Sequence, residues 1–454
     1  MRYRERDDNM DKLLLLLAYW LAPLVPITVT VLAFPGRYAT FVNAVPMIIG
    51  AMAFTWFMAQ LVLSARIRWI ERRFGLDRLL RVHALTPILA IVLAFVHKLT
   101  LEDLFEENLK TQLGDAGLLV FASLSALALL FMGDLLVRWV KPFGVLRKRL
   151  ATFGVFRYGA QRLLHNLAPI GAVPVFLHVM LSSSARYSLP VRLVYITGFT
   201  VAAGAWLWHR VLRPAWIRRR PFTVRDVIRE TADIWTLRLS PAPGHSFRHE
   251  AGQFGFLRFL TGALTGEPHP FSLSSIPDES GTISMTIKDL GDFTHTIGQV
   301  KPGDKAVIDG PYGTFVPSRH GHGKLVLLAG GVGITPMLSI LAHLRRHDPK
   351  RPVLLVWGIN GPADILRRDE WPAMQAEMPG FRFVPVAFRD PAFDGEKGVI
   401  DQARLERLTR DLGFDGPDTG YYVCGPAAML LPLLKALARM GIPGRNIHYE
   451  RFSL

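Results

Sequence analysis

Apolar positions in the first half of the chain form six long stretches. They cover residues 13–33, 42–64, 79–99, 116–137, 163–183 and 191–209. Each holds about 20 residues, the length that an α-helix needs to cross a bilayer. The pattern predicts a six-helix transmembrane bundle over residues 1–213. Because five further stretches follow the first, we do not expect the first to be a cleaved signal peptide.

The pattern changes near residue 221. Short β-type runs separated by Gly, Pro and Asp predict a small antiparallel β-barrel over residues 221–318. Beyond residue 322, strand runs alternate with helical patterns, beginning with a strand at 325–328 and a helix at 334–347. This alternation predicts an α/β domain with a parallel, doubly wound sheet over residues 322–454.

The net charge of +16 across 454 residues is typical of a nucleic-acid-binding protein when taken alone. Residues 1–220, however, hold 27 Lys and Arg against 12 Asp and Glu, and the remainder has an excess of only one base. The bases lie in alternate loops between the apolar stretches. The positive-inside rule therefore predicts a multi-pass protein of the cell (inner) membrane, with both termini and the C-terminal half cytoplasmic. No nucleic-acid partner is expected, and the lipid bilayer accounts for the charge.

Four histidines lie inside two of the apolar stretches. His83 and His97 are 14 residues apart in the third, and His165 and His178 are 13 apart in the fifth. Both helices are expected to cross the membrane in the same direction, so the residues form two pairs at matched depths, about 20 Å apart along the helix axis. Imidazole is a common axial ligand of haem iron. We predict that His83/His165 and His97/His178 ligate two b-type haems.

The spacing in the fifth helix conflicts with a regular α-helix. Thirteen residues turn a straight helix so that the second histidine points about 140° away from the first. Pro169, Gly171 and Pro174 lie between them, and proline kinks or unwinds helices. The sequence therefore predicts an irregular turn that brings both histidines to one side.

Two motifs in the predicted barrel suit a flavin. In the first, Phe271 can lie against the isoalloxazine and Ser272 can hydrogen-bond near N5, while His269 reaches the ribityl chain or phosphate. The second is a glycine turn into a short helix, whose free N–H groups can hold a pyrophosphate. We predict an FAD site formed by His269, Pro270, Phe271, Ser272, Gly291, Phe293, Thr294 and Gly310.

A glycine-rich turn follows the first α/β strand directly, and a Cys-Gly-Pro sequence ends a later one. Ligands of such sheets bind at the carboxyl ends of the strands. We predict an NAD(P)H site formed by Gly330, Gly331, Gly333, Thr335, Pro336, Gly425 and Pro426. Cys424, the single cysteine, is expected to face the nicotinamide ring. Phe452 is expected to cover the flavin until the nicotinamide displaces it.

The flavin and nucleotide motifs resemble those of the ferredoxin–NADP reductase superfamily. With the two-histidine helices attached, the chain from about residue 10 onward resembles the NADPH oxidase/ferric reductase family of transmembrane flavocytochromes, most closely its short bacterial members. The resemblance implies FAD, two haems b and one-electron delivery across the membrane. The loop at residues 357–360 holds no Arg, Asp or Glu to separate NADPH from NADH, although Arg367 and Arg368 could substitute.

The expected activity is a superoxide-forming NAD(P)H oxidase. Two histidine ligands fill both axial positions of each haem iron, so O2 would be reduced without binding the metal. A ferric-chelate reductase with the same electron path, a haem-free membrane-anchored flavoprotein reductase and a reductase serving a periplasmic repair partner are the alternatives. Because the chain has no EF-hand pattern and no SH3-type module, no obligatory cytosolic activator is expected.

Overall fold

The protein consists of a helical unit and a second unit that contains both β-sheets. The computed structural model describes residues 2–101, 108–131, 141–150, 164–262, 264, 266–276 and 281–451. Residues 6–213 form one compact unit and residues 214–454 belong to the other.

The first unit is built almost entirely of helices. In chain order they are α1 Arg2–Leu21, α2 Leu24–Ala33, α3 Phe41–Ser64, α4 Arg68–Phe74, α5 Leu76–Leu99, α6 Leu109–Phe131, α7 Lys141–Leu150, α8 Ala168–Met180, α9 Ser183–Tyr187 and α10 Leu189–Leu207. A π-helical turn, Trp208–Leu212, continues α10 into α11, Arg213–Arg218.

Among the residues that the structure describes, four helices are long and apolar enough to cross a membrane, where the sequence predicts six stretches over the whole helical region. They are α3, α5, α6 and the continuous segment Leu189–Arg218. The first predicted span is instead two helices bent by 46°, because Pro23 and Pro26 interrupt it. The fifth is described from residue 164 onward and contains α8, a helix of 13 residues.

The fifth stretch contains the break that the histidine spacing requires. His165 lies in a short helical segment, a turn follows at Asn166 and Leu167, and α8 begins at Ala168. Pro169 stands in the first turn of α8, where its missing N–H and fixed φ fit the helix start. The break lies before the three residues expected to cause it, because a first-turn proline ends the preceding segment without kinking the following helix.

An antiparallel barrel begins the second unit, residues 214–454. Its strands are β1 Phe222–Arg229, β2 Ile234–Pro241, β3 Phe254–Phe259, β4 His269–Ser272, β5 Ile283–Lys288 and β6 Lys305–Tyr312, in the order β4-β3-β6-β1-β2-β5. A bridge between Leu273 and Met285 joins the two outer strands. Buried aliphatic and aromatic side chains, among them Leu237, Phe259 and Met285, fill the inside. The antiparallel pairing of these strands confirms the predicted antiparallel sheet.

A parallel six-stranded sheet follows. Its strands are β7 Lys324–Gly330, β8 Val353–Ile359, β9 Phe381–Ala387, β10 Glu396–Lys397, β11 Thr419–Gly425 and β12 Ile447–Arg451, in the order β10-β9-β8-β7-β11-β12. The helices of this unit are α12 Asp292–His295, α13 Ile334–His347, α14 Glu370–Glu377, α15 Gln402–Asp411 and α16 Ala427–Arg439. From β7, successive strands are added first on one side of the sheet (β8 to β10) and then on the other (β11 and β12). Ligands bind at such switch points.

Alternate residues of β7 explain why this sheet forms. Leu325 and Leu327 belong to one apolar core, which includes α13, whereas Val326 and Leu328 belong to the core on the opposite face. A strand buried on both faces needs a continuous apolar run. The predicted bounds of α13, residues 334–347, are confirmed, while β12 was not predicted as a strand.

Candidate functional site

The four histidines of the apolar stretches meet in two pairs. The ring centroids of His83 and His165 are 5.8 Å apart, and those of His97 and His178 are 6.2 Å apart. An imidazole nitrogen lies about 2 Å from a metal that it binds, so two rings on opposite sides of one ion have centroids about 6 Å apart. The separation in each pair therefore fits a metal held between the rings.

Each pair is a two-ligand site. No group of three or more His, Cys, Asp or Glu side chains that could hold a metal is found in the part of the chain that the structure describes. The Nδ1 atom of His165 is buried and has no hydrogen-bond partner there. The Nδ1 of His83 likewise meets no partner in hydrogen-bond geometry, although the Gln60 backbone approaches it. Two imidazoles without a third protein ligand would suit a metal whose other ligands come from a porphyrin.

The predicted flavin residues form an aromatic cluster on β4. His269, Pro270, Phe271 and Ser272 make up this outer strand, which pairs with β3. The His269 ring stacks on Phe293 with centroids 3.9 Å apart, and Phe271 lies 6.2 Å from the same ring. The structure thus brings together two motifs that are about 20 residues apart in the chain.

The glycine turn before α12 is closed by its own threonine. The Thr294 hydroxyl accepts hydrogen bonds from the N–H groups of Leu290 (2.8 Å) and Gly291 (3.0 Å). Those two backbone donors are therefore already bonded. A phosphate at this turn must use donors further into the helix, a restriction that the sequence pattern did not indicate.

His249, which lies outside the predicted flavin residues, bonds to the chain just after β4. His249 Nε2 donates a hydrogen bond to the carbonyl of Ser275, 2.7 Å away. Burial lowers the pKa of His249, so its ring is neutral at neutral pH. Its distance in the chain from Ser275 left no local signal by which the sequence could reveal this contact.

Gly310 serves packing between strands. A Cβ at this position would lie 3.1 Å from the Cα of Gly255, because β6 and β3 approach closely there. This close approach of the two strands requires a glycine here, and the place of Gly310 in the flavin site stays a prediction.

The glycines of the nucleotide motif separate into two kinds. A Cβ at Gly333 would lie 2.1 Å from the carbonyl oxygen of Cys424, and one at Gly425 would lie 3.1 Å from the Cα of Gly330. These three glycines let the ends of β7 and β11 touch. Gly331 differs, since it has a φ of +51° and would place a Cβ in open space. The Trp357 indole N–H, which donates to the Gly331 carbonyl, fixes this turn.

Two further predicted residues begin helices. Thr335 and Pro336 lie in the first turn of α13 and are buried, and the Thr335 hydroxyl donates to the Val332 carbonyl. Pro426 precedes α16 directly. The motifs therefore meet at the carboxyl edge of two adjacent strands, at the switch point of the sheet.

Cys424 lies at this edge beside a carboxylate. It is fully buried and pairs in register with Glu450 of β12. Burial, and secondarily the Glu450 charge, raise the pKa of the Cys424 thiol, which is therefore protonated at neutral pH. Glu450 was not among the predicted site residues, because only the pairing of β11 with β12 brings it here. Phe452 lies outside the described residues.

Comparison with known proteins places both motifs in recognised domains. Residues 219–316 match the model of an FAD-binding domain, and residues 327–431 match that of an oxidoreductase NAD-binding domain. The reductase component of an aromatic O-demethylase from Amycolatopsis sp. is 30% identical over 239 residues, which are 51% of this chain and 67% of that protein.

A second relative is part of a Na+-translocating NADH-quinone reductase from Yersinia pseudotuberculosis. It is 29% identical over 223 residues, 45% of this chain and 54% of that relative. The chain thus spans between about half and two thirds of these relatives. Among solved structures, a ferredoxin–NADP+ reductase from Neisseria gonorrhoeae with bound FAD and NADP is 26% identical, with a TM-score of 0.44, over 51% of this chain and 98% of that one.

Proposed function

The C-terminal half of this chain belongs to the ferredoxin–NADP reductase family of FAD- and NAD-binding oxidoreductases, and from that premise we propose that the whole protein is a transmembrane NAD(P)H oxidase. It uses FAD and two b-type haems to reduce an external acceptor, O2, to superoxide. FAD supplies the exchange between hydride and single electrons, and haem supplies one-electron transfer.

The pairing of the four histidines carries the proposal. Their ring separations of 5.8 and 6.2 Å fit two metals, each between two imidazoles. His83 lies about two turns from the start of α5 and His97 lies in its last turn, so two cofactors are held at two levels of one helix. Polar side chains inside apolar helices are costly and usually functional.

Residues 214–454 form the reductase unit, in which side chains bind and orient FAD and NAD(P)H. The cluster of His269, Phe271 and Phe293 offers flat aromatic surface to FAD. Gly331, where an added Cβ would meet nothing within 4 Å, leaves room for the phosphates of NAD(P)H. The neutral thiol of Cys424 adds no negative charge that would retain the positively charged nicotinamide product.

The remaining parts of the proposal concern the membrane. We infer six spans in the inner membrane, with the bent pair α1–α2 and the shorter α8 completing the four long apolar helices. The basic loops favour a cytoplasmic location for both termini and the reductase unit. Each histidine pair would hold a haem iron through imidazole alone, so the acceptor would be reduced without binding iron, which suits O2.

The deciding experiment is a dithionite-reduced absorption spectrum of the purified full chain, with FAD and haem quantified. We expect one FAD and two b-type haems per chain. Flavin without reduced b-type bands would replace the proposal with a haem-free flavoprotein reductase. Cytochrome c reduction that superoxide dismutase does not suppress, together with ferric-chelate reduction, would make the protein a metal reductase.

A further inference from the structure

The two histidine pairs differ in what their Nδ1 atoms contact. His97 Nδ1 lies 2.8 Å from the carbonyl oxygen of Pro46, and His178 Nδ1 lies 2.7 Å from that of Lys110. A carbonyl only accepts, so both Nδ1 atoms carry the proton and both Nε2 atoms keep a lone pair for a metal. In the described residues, the buried Nδ1 of His165 makes no such bond, and the Gln60 backbone approaches His83 without reaching hydrogen-bond geometry.

In both contacts, a glycine lies four residues after the carbonyl that accepts the hydrogen bond. Gly50 follows Pro46 by four residues on α3, and Gly114 follows Lys110 by four residues on α6. A helical Cβ points toward the N-terminus and covers the turn before it, so a glycine at the fourth position uncovers the carbonyl. The imidazole occupies that opening.

The distances show how closely each ring fits its glycine. A Cβ at Gly50 would lie 2.8 Å from Cε1 and 2.9 Å from Nδ1 of His97. A Cβ at Gly114 would lie 2.8 Å from Nδ1 and 3.1 Å from Cε1 of His178. Any other residue would displace the ring from the carbonyl, because these separations are shorter than van der Waals contact.

We propose that Gly50 and Gly114 are positioning residues that fix the hydrogen-bonded form of His97 and His178, and so make this pair's haem the lower-potential one of the two. The inference rests on the proposed haem ligation. A hydrogen bond from Nδ1–H to a carbonyl raises the basicity of the ligating nitrogen, which favours the ferric state.

Positive charges act at both pairs. The Arg210 guanidinium acts on His165, whereas the Lys110 ammonium acts on both His97 and His178 and is offset by Asp115 only at His178. The expected order of the two potentials therefore depends on the hydrogen bonds of the Nδ1 atoms.

Redox potentiometry of the purified full chain, followed by reduced b-type absorbance, tests the inference. We expect two one-electron waves, with His83→Ala removing the higher wave and His178→Ala removing the lower one. Gly50→Ala and Gly114→Ala should move only the lower wave, toward the higher one, or abolish it alone. Gly204→Ala, on α10 with nothing within 4 Å of the added Cβ, should leave both waves in place.

Three outcomes would overturn the inference while leaving the proposed function intact. They are a single wave for two haems, loss of the higher wave in His178→Ala, and unchanged waves in both Gly50→Ala and Gly114→Ala. If a glycine variant loses both haems, the histidine variants still decide which pair has the lower potential. Wild-type protein without b-type bands would instead refute the haem ligation itself.

Discussion

The imidazole planes of each histidine pair cross at nearly right angles. The angle is 82° for His83 and His165 and 89° for His97 and His178. When axial ring planes are perpendicular, the iron d orbitals that interact with the two rings are nearly equal in energy. This makes the ferric EPR signal strongly anisotropic, and the axial ligands are the lever that sets it.

We therefore predict two low-spin ferric signals of the highly anisotropic type. Low-temperature EPR of the oxidised full chain measures them, and His165→Ala should remove one while leaving the other. The ordinary rhombic signal of parallel imidazole planes would contradict the ring geometry of the pair that gives it.

His249 gives the reductase unit a pH dependence. Because burial lowers its pKa from the ordinary value of 6.5, the unfolded chain binds more protons than the folded one just below pH 6.5. The contribution of neutral His249 to the free energy of unfolding is therefore complete above pH 6.5. It is lost as the pH falls toward the lower folded-state pKa.

We expect His249→Gln to weaken this loss. Unfolding of the reductase unit, followed by release of flavin fluorescence between pH 5 and pH 8, measures it. Burial also lowers the pKa of His245 and His343, so part of the pH dependence should remain. Identical slopes for His249→Gln and wild type would contradict this role.

At the scale of elements, the glycine turn after β7 packs closely against the end of β11. Gly333→Ala places a Cβ against the backbone of β11 and should destabilise the reductase unit by about 1–3 kcal/mol, as overpacking does. Thermal unfolding measures this change. Gly444→Ala, where nothing lies within 4 Å, should match wild type. A wild-type melting temperature for Gly333→Ala would show that β7 and β11 do not touch there.

The elements also show where local pattern is sufficient. Buried runs such as 325–328 and the apolar helix 334–347 were predicted because burial and periodicity are local properties. The strand Ile447–Arg451 was missed, since its alternation is weak and its partner β11 supplies its hydrogen bonds. The break before α8 was expected from the histidine spacing, but its place was set by where Pro169 fits a helix start.

For the whole molecule, we predict that a histidine substitution abolishes electron transfer through the haems without affecting electron transfer from NAD(P)H to the flavin. His97→Ala should abolish reduction of an external acceptor, because one proposed haem loses a ligand. NAD(P)H-dependent reduction of a soluble dye should persist near the wild-type rate, since the flavin and nucleotide residues are unchanged. Parallel assays of both activities on one preparation measure this. Equal loss of both would contradict an electron path in two separable parts.

The sequence by itself determined the apolar stretches, the barrel and α/β patterns, the charge asymmetry and the histidine spacings. Each depends on the order of residues along one segment, where periodicity and burial act locally. Tertiary structure alone decided that Gly50 and Gly114 receive histidine rings, that Glu450 lies beside Cys424, and that Gly331 is the nucleotide-motif glycine facing open space. Those facts depend on contacts between distant segments, which no local spacing encodes.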